Sequence, residues 1–315
     1  MPKYMISVIV PLFNEEESLP TFIKELKKAL KVINRKHEVI FIDDGSIDSS
    51  LNLLKQLARR NSSIKVFSFR KNMGKAEALS FGFSKAKGDI VVTLDADLQD
   101  RPSEISRLIS KLEEGFDLVC GWRKKRNDPF HKVISSRLFN LLARSFWGLS
   151  LHDYNCGLKA YSREAAQSLI LYGGMYRFIP LLVHQEGFRV TEVAVKHDKR
   201  MFGKSKYGFS KLWKDMPDIF TMIFLSRYGS RPFHFFAFLG ILFFLFGIII
   251  LGYLSFVHFQ GEAIGRRPLL FLGMLLVIFG FQTIFTGFLA DLILNSSAKN
   301  SRLDSHIFPI RYKKE

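Results

Sequence analysis

Residues 91–102 read VVTLDADLQDRP. A short β-branched run passes directly into three carboxylates, Asp95, Asp97 and Asp100. Unpaired carboxylates are costly to bury, by several kcal/mol each, so a positive partner is expected at this point. The apolar run is continuous rather than alternating, as in a strand covered on both faces, which is the mark of a parallel sheet with helices above and below. Four similar runs surround it: ISVIVPLF (6–13), HEVIFIDD (37–44), IKVFSF (64–69) and DLVCGW (117–122). Amphipathic helical patterns lie between them, such as EESLPTFIKELKKALKVI (16–33) and SSLNLLKQLARR (49–60). The alternation predicts an α/β fold of Rossmann type with a mostly parallel sheet.

Ligands of such sheets bind beyond the carboxyl ends of the strands. Polar clusters stand there after four consecutive strands: FNEEE, DDGSIDSS, RKNMGK and DADLQD. Asp95 and Asp97 leave the strand two positions apart, and Gln99 offers a neutral oxygen two further on. Hard divalent cations, Mg²⁺ or Mn²⁺, take such oxygens and share themselves with substrate phosphates. An isolated Asp-x-Asp is common by chance; this one shares its edge with Asp43 and Asp44, which also end a strand and can hydrogen-bond a nucleobase or ribose. Asp48 also suits a helix N-cap. Asp100, followed by Arg101 and Pro102, reads as a turn residue before a helix starting near Ser103.

The remaining chain has a different composition. Phe233 to Val257 is 25 residues, and Pro268 to Ala290 is 23, without Lys, Arg, Asp or Glu. At about 1.5 Å per residue each is long enough to cross a hydrocarbon core of roughly 30 Å. The connector HFQGEAIGRR makes the pair a hairpin. Arg227, Arg231, Arg302, Arg311, Lys313 and Lys314 outnumber Arg266 and Arg267 in the connector, so both termini are expected on the cytoplasmic side of the cell membrane. The N-terminal apolar run is about nine residues, holds a Pro and ends in acid, unlike a signal peptide. The stretches 130–147 and 209–224 each carry one apolar helical face, expected to lie in the membrane interface. The boundaries follow: a catalytic domain over 1–207, a juxtamembrane helix over 208–231, a hairpin over 232–294 and a basic tail over 295–315.

The formal charge of +17 points to anionic partners. Its basic residues gather near the apolar segments, where phosphates and anionic lipids suffice, so no nucleic acid is implied. Two Cys, Cys120 and Cys156, have no metal spacing and fit a reducing compartment. A processive polysaccharide synthase is disfavoured by two visible spans and the absence of QxxRW. A non-enzymatic membrane scaffold leaves the four polar strand ends unexplained.

VIVPLFNEEESL, FIDDGSIDSS, NMGKAEAL and LDADLQDRP resemble the donor-binding core of inverting family 2 glycosyltransferases of the GT-A fold. HDYNCGLKAYSRE, the YRFIPLL…KSKYG stretch and the hairpin resemble the polyprenyl-phosphate glycosyltransferases, which include dolichol-phosphate mannose synthases and bacterial undecaprenyl-phosphate glucosyltransferases. The resemblance implies transfer of one sugar from a nucleotide sugar, UDP-glucose by the hairpin architecture, to a polyprenyl phosphate. GDP-mannose and a UDP-N-acetylhexosamine are the alternative donors. It implies that Pro11, Phe13, Asn14, Glu15, Asp43, Asp44, Lys75 and Asp95 line the nucleotide pocket, and that Asp95, Asp97 and Gln99 hold the metal. It places Arg123, Arg137 and Ser205 on the acceptor phosphate, with Arg200 and Lys206 in a loop closing over the diphosphate. It also implies a homo-oligomer, a tetramer in relatives with this hairpin. Asp153 stands where relatives have an acidic catalytic residue, though some carry it where this chain has Gly157. A phosphate monoester is already largely dianionic at neutral pH, so Asp153 is expected to orient the sugar or acceptor more than to remove a proton.

Overall fold

A computed structural model describes residues 4–124, 148–198 and 231–301, with residues 221, 224, 228 and 229. The chain divides into two units, 1–219 and 220–315.

In the first unit, the expected runs form β1 (Ile6–Leu12), β2 (His37–Asp43), β3 (Ile64–Ser68), β4 (Ile90–Thr93) and β5 (Leu118–Arg123). Two further strands complete the sheet, β6 (Lys159–Ser162) and β7 (Val190–Val195). The order is β3-β2-β1-β4-β6-β5-β7. All described pairings are parallel except those of β6, which runs antiparallel to both β4 and β5. Inserting one reversed strand leaves the carboxyl ends of the other six, and the loop entering β6, on the same edge.

Helices α1 (Leu19–Ile33), α2 (Ser50–Arg60), α3 (Lys75–Lys85) and α4 (Ile105–Leu112) follow the first four strands. Helix α1 buries Leu19, Phe22, Leu26 and Leu30 at helical spacing, and Phe22 meets Phe41 of β2 edge to face, centroids 6.5 Å apart. The helix stops at Asn34, whose left-handed backbone (φ 51°) closes the last turn. On the other face α3 lies close to the sheet because Gly82 has no side chain. A Cβ there would fall 2.7 Å from Cδ1 of Ile42. Short helices α5 (Arg163–Gln167) and α6 (Ile179–Gln185) cover the β5–β7 half.

The second unit contains two long apolar helices, α7 (Pro232–Phe259) and α8 (Pro268–Ser301), paired antiparallel. Each is long and apolar enough to cross a membrane, and only 11% of either apolar window is buried, unlike the core helix of a soluble protein. Glycines let the two backbones touch. A Cβ on Gly240 would lie 2.7 Å from the Gly280 carbonyl oxygen, and one on Gly247 would lie 2.9 Å from that of Gly273. Close backbone approach through small residues is how helices associate where no hydrophobic effect drives them together. The stretch 130–147, most of 209–224 and the tail beyond 301 lie outside the described residues.

Candidate active site

The loops at the carboxyl edge are built from side chains that hold backbone. After β1, Asn14 takes a left-handed conformation (φ 53°), which Asn tolerates, and its Oδ1 accepts from Ile47 N at 2.9 Å. Its own N–H donates to Ser46 Oγ at 2.9 Å, tying the β1 loop to the β2 loop. Glu15 N donates to Ser50 Oγ at 2.9 Å. Asp48 accepts from Ser50 N and Glu16 N, so it works as a loop brace just ahead of α2. Pro11 lies within β1, and Phe13 follows it.

Asp43 and Asp44 turn to different tasks. Asp43 is fully buried and accepts from Ser68 Oγ at 2.6 Å and Ser46 N at 3.1 Å. Asp44 accepts from Met73 N at 2.7 Å and Gly74 N at 3.0 Å, which pins the loop leading into α3. Burial raises the Asp44 carboxyl above the usual range, with Glu77 and Asp43 adding to it, and the two N–H donors only partly offset this.

Lys75 is the first residue of α3, and its ammonium meets both oxygens of Asp95, at 2.5 and 2.7 Å. The positive partner required by the acidic run is thus, for Asp95, a lysine side chain. Behind Asp95 runs the backbone of Gly157, where a Cβ would fall 2.8 Å from the Asp95 carboxylate carbon. The chain at Gly157 therefore faces Asp95 directly.

Residues 95, 97 and 99 are partly exposed, while 96, 98 and 100 are buried. Two carboxylates and an amide on the open side form a hard-oxygen donor set, which fits Mg²⁺ or Mn²⁺ completed by phosphate and water. Among the described residues no three His, Cys, Asp or Glu side chains are placed to hold a metal ion by themselves. Asp97 Oδ1 accepts from Gln99 N at 3.2 Å. The run turns at Leu98, whose positive φ of 61° costs a non-glycine residue roughly 1–2 kcal/mol. Its buried side chain holds it there.

Asp100 stands just ahead of the turn that opens α4, as its sequence neighbours suggest, and it is also buried: it accepts from His197 Nδ1 at 3.0 Å and from the Cys156 thiol at 3.6 Å. Burial pushes its carboxyl up, but the His197 hydrogen bond and the nearby Arg123 charge outweigh that and hold it below the usual range. Asp100 and His197 also form a β-bridge, Asp198 N donates to Gln99 O at 2.9 Å, and Arg101 forks onto Asp198. The acidic loop is so clasped to the chain leaving β7. Likewise the helix expected near Ser103 opens as a 3₁₀ turn at Pro102–Glu104, and α4 begins at Ile105.

Arg123, at the end of β5, is gripped by Asp153, which is fully buried. Nε donates to Oδ2 at 2.7 Å and Nη2 to Oδ1 at 3.1 Å. Burial alone would lower the guanidinium's pKa; the Asp153 hydrogen bonds and charge reverse this and raise it. Beside it Trp122 stacks on His152, centroids 4.1 Å apart, and Glu192 accepts from the backbone N–H groups of His152 and Asp153. Sequence reasoning missed His197, Glu192 and the Trp122–His152 stack. Arg137, Arg200, Ser205 and Lys206 lie outside the described residues.

The sheet order thus gathers acidic and basic side chains from successive loops on one edge. The family model for glycosyl transferase family 2 matches residues 7–170, and the chain belongs to that family. It is a glycosyltransferase. Over 308 residues it is 36% identical to dodecaprenyl-phosphate galacturonate synthase of Rhizobium johnstonii, covering 96% of this chain and 91% of that protein. Over 219 residues it is 38% identical to undecaprenyl-phosphate 4-deoxy-4-formamido-L-arabinose transferase of Yersinia enterocolitica, covering 69% of this chain and 67% of that one. Among solved structures, glucosyl-3-phosphoglycerate synthase from Mycobacterium tuberculosis with Mn²⁺, UDP and phosphoglyceric acid superposes with a TM-score of 0.55. It is 22% identical, covering 71% of this chain and 78% of that one, a likeness of fold alone.

Proposed function

We propose that the chain transfers a single sugar from a UDP-sugar to a polyprenyl phosphate, with inversion at the anomeric carbon. The observation that carries this is the meeting of Asp95, Asp97, Lys75 and the Asp153-bound Arg123 on one sheet edge, in a family 2 chain that also bears two membrane-length helices. The names of the relatives, a galacturonate synthase and a formamido-arabinose transferase on dodecaprenyl and undecaprenyl phosphate, support the acceptor class. They also widen the donor beyond the UDP-glucose expected from sequence, toward oxidised or aminated sugars.

Asp95, Asp97 and Gln99 would hold a Mg²⁺ or Mn²⁺ ion; such an ion supplies positive charge to the departing nucleotide diphosphate. The acceptor phosphate needs no general base, being largely dianionic. Arg123 keeps three N–H groups beyond the two that Asp153 takes, enough to receive phosphate oxygens in a fixed plane. Asp153 therefore serves as the residue that orients Arg123. Apolar helices α7 and α8 keep the enzyme in the membrane where its lipid acceptor resides, with both termini cytoplasmic by the flanking positive charge.

The test uses the full chain in proteoliposomes with undecaprenyl phosphate and labelled UDP-glucose, UDP-galacturonate and UDP-4-deoxy-4-formamido-L-arabinose. One donor is expected to give lipid-extractable label that excess chelator abolishes and Mn²⁺ or Mg²⁺ restores. Label in a water-soluble polymer, or none with any donor, refutes the acceptor assignment. Full transfer in excess chelator refutes the metal.

A further inference from the structure

The Asp95 oxygens that a metal would need are occupied by Lys75. The ammonium sits 2.5 and 2.7 Å from the two of them, and the side chains are 27% and 32% exposed, so solvent and ligand both reach the pair. Lys75 has an anchored backbone and a long, rotatable stem. Gly74 before it takes φ 111° and donates to Asp44, as does Met73, while four methylenes separate the ammonium from this fixed point. The Tyr176 ring lies 5.6 Å from Nζ, a second favourable surface along the stem's arc. A cation at the first turn of a helix also opposes the helix dipole, so the lysine's position there is sustained by its anionic partner. On another flank the Gly157 backbone lies against Asp95, close enough that a Cβ there would fall 2.8 Å from the carboxylate carbon.

We propose that Lys75 is a place-holding cation. It neutralises Asp95 until a nucleoside diphosphate arrives, and it competes with the divalent metal for that carboxylate, so that metal and donor load together. This rests on the metal reading above. With no diphosphate present, a metal at Asp95 must displace Lys75 or lie close beside it, cation against cation. A bound diphosphate gives the ammonium a new anion, and Asp95 becomes available. Coupling of this kind is reciprocal: whatever factor UDP adds to metal affinity, metal adds to UDP affinity. Removing the ammonium removes the competitor and the share of the coupling that runs through it, leaving the share due to direct contact between metal and diphosphate.

The experiment is a Mn²⁺ titration of the purified full chain in detergent, read by the electron paramagnetic resonance signal of free Mn²⁺, with and without UDP. Wild type is expected to bind Mn²⁺ at least tenfold more tightly with UDP than without. Lys75→Met is expected to bind Mn²⁺ without UDP about tenfold more tightly than wild type, with the UDP effect shrunk to about twofold. Lys75→Arg, keeping the charge, is expected to retain most of the coupling, and Lys75→Gln repeats the Met result if the Met variant does not fold. If wild type binds Mn²⁺ with UDP but Lys75→Met and Lys75→Gln bind it no more tightly without UDP, the place-holder role is wrong and the metal site stands. If wild type binds no Mn²⁺ under either condition, or Asp97→Ala leaves binding unchanged, the metal reading itself falls.

Discussion

Arg123 and Asp153 meet with two nitrogens on two oxygens, the carboxylate fully buried and the arginine side chain mostly so. Breaking a buried pair by removing one partner strands the other charge and costs about 3–5 kcal/mol. Asp153→Ala is therefore expected to lower the unfolding temperature sharply, and Arg123→Met with Asp153→Leu together to recover much of it without recovering activity. Asp153→Asn keeps an acceptor for Nε but weakens a charge-assisted bond of about 1.5–3 kcal/mol. Its kcat/KM is expected to fall roughly 10- to 150-fold, mostly through the acceptor's KM. A loss as complete as that of Asp97→Ala would instead give Asp153 a direct part in the chemistry.

Gly157 has a reason to lack a side chain. A methyl there collides with the Asp95 carboxylate, whose other side is held by Lys75. Gly157→Ala is expected to shift Asp95 and cut kcat/KM by about 100-fold, since ångström-scale misplacement costs that much. Stability is expected to change little by comparison. Unchanged kinetics in Gly157→Ala would mean that Asp95 tolerates displacement and is no fixed ligand.

The loop before α3 hangs on one carboxylate. Asp44→Asn replaces an oxygen with an NH₂ that faces a backbone donor, a loss of about 1–3 kcal/mol local to the loop. Hydrogen exchange is expected to quicken at Met73 and Gly74, and the donor's KM to rise because Lys75 follows immediately.

The two thiols give a pH test. Burial pushes Cys120 up to about 12 and raises Cys156 well above its ordinary value. A group whose folded pKa is raised contributes fully below its unfolded pKa of about 8.5, and the contribution is lost as pH climbs toward the folded value. The catalytic unit is thus expected to lose stability progressively above pH ~9. Replacing both residues by Ala is expected to flatten that decline. Neither thiol should react with maleimide in the native protein at pH 7.5, and fast labelling there would contradict their burial.

Much of this was legible beforehand. The five runs that became β1 to β5 are continuous, apolar and β-branched, and their polar ends marked the edge where the site lies. Strands β6 and β7 were not legible as strands. KAYS is four residues long, and VTEVAV, at the sheet's edge, is broken by the polar pair Thr191 and Glu192. At Asp100 the local turn signals, Arg101 and Pro102, carry no sign of its burial, which comes with His197, 97 positions away. Arg123 and Asp153 were each noticed, but their pairing spans 30 positions and has no local signature.

The sheet order has a consequence for biosynthesis. Strand β5 lies between β6 and β7, so half the sheet waits for residue 195. The first apolar helix starts at Pro232, 37 positions later. At roughly 5–20 residues per second, that gap lasts about 2–7 seconds on the ribosome. For those seconds every described strand has been made and neither apolar helix has. The nascent catalytic unit can close its core before the chain is committed to a bilayer, so its folding and the insertion of the hairpin are separated in time.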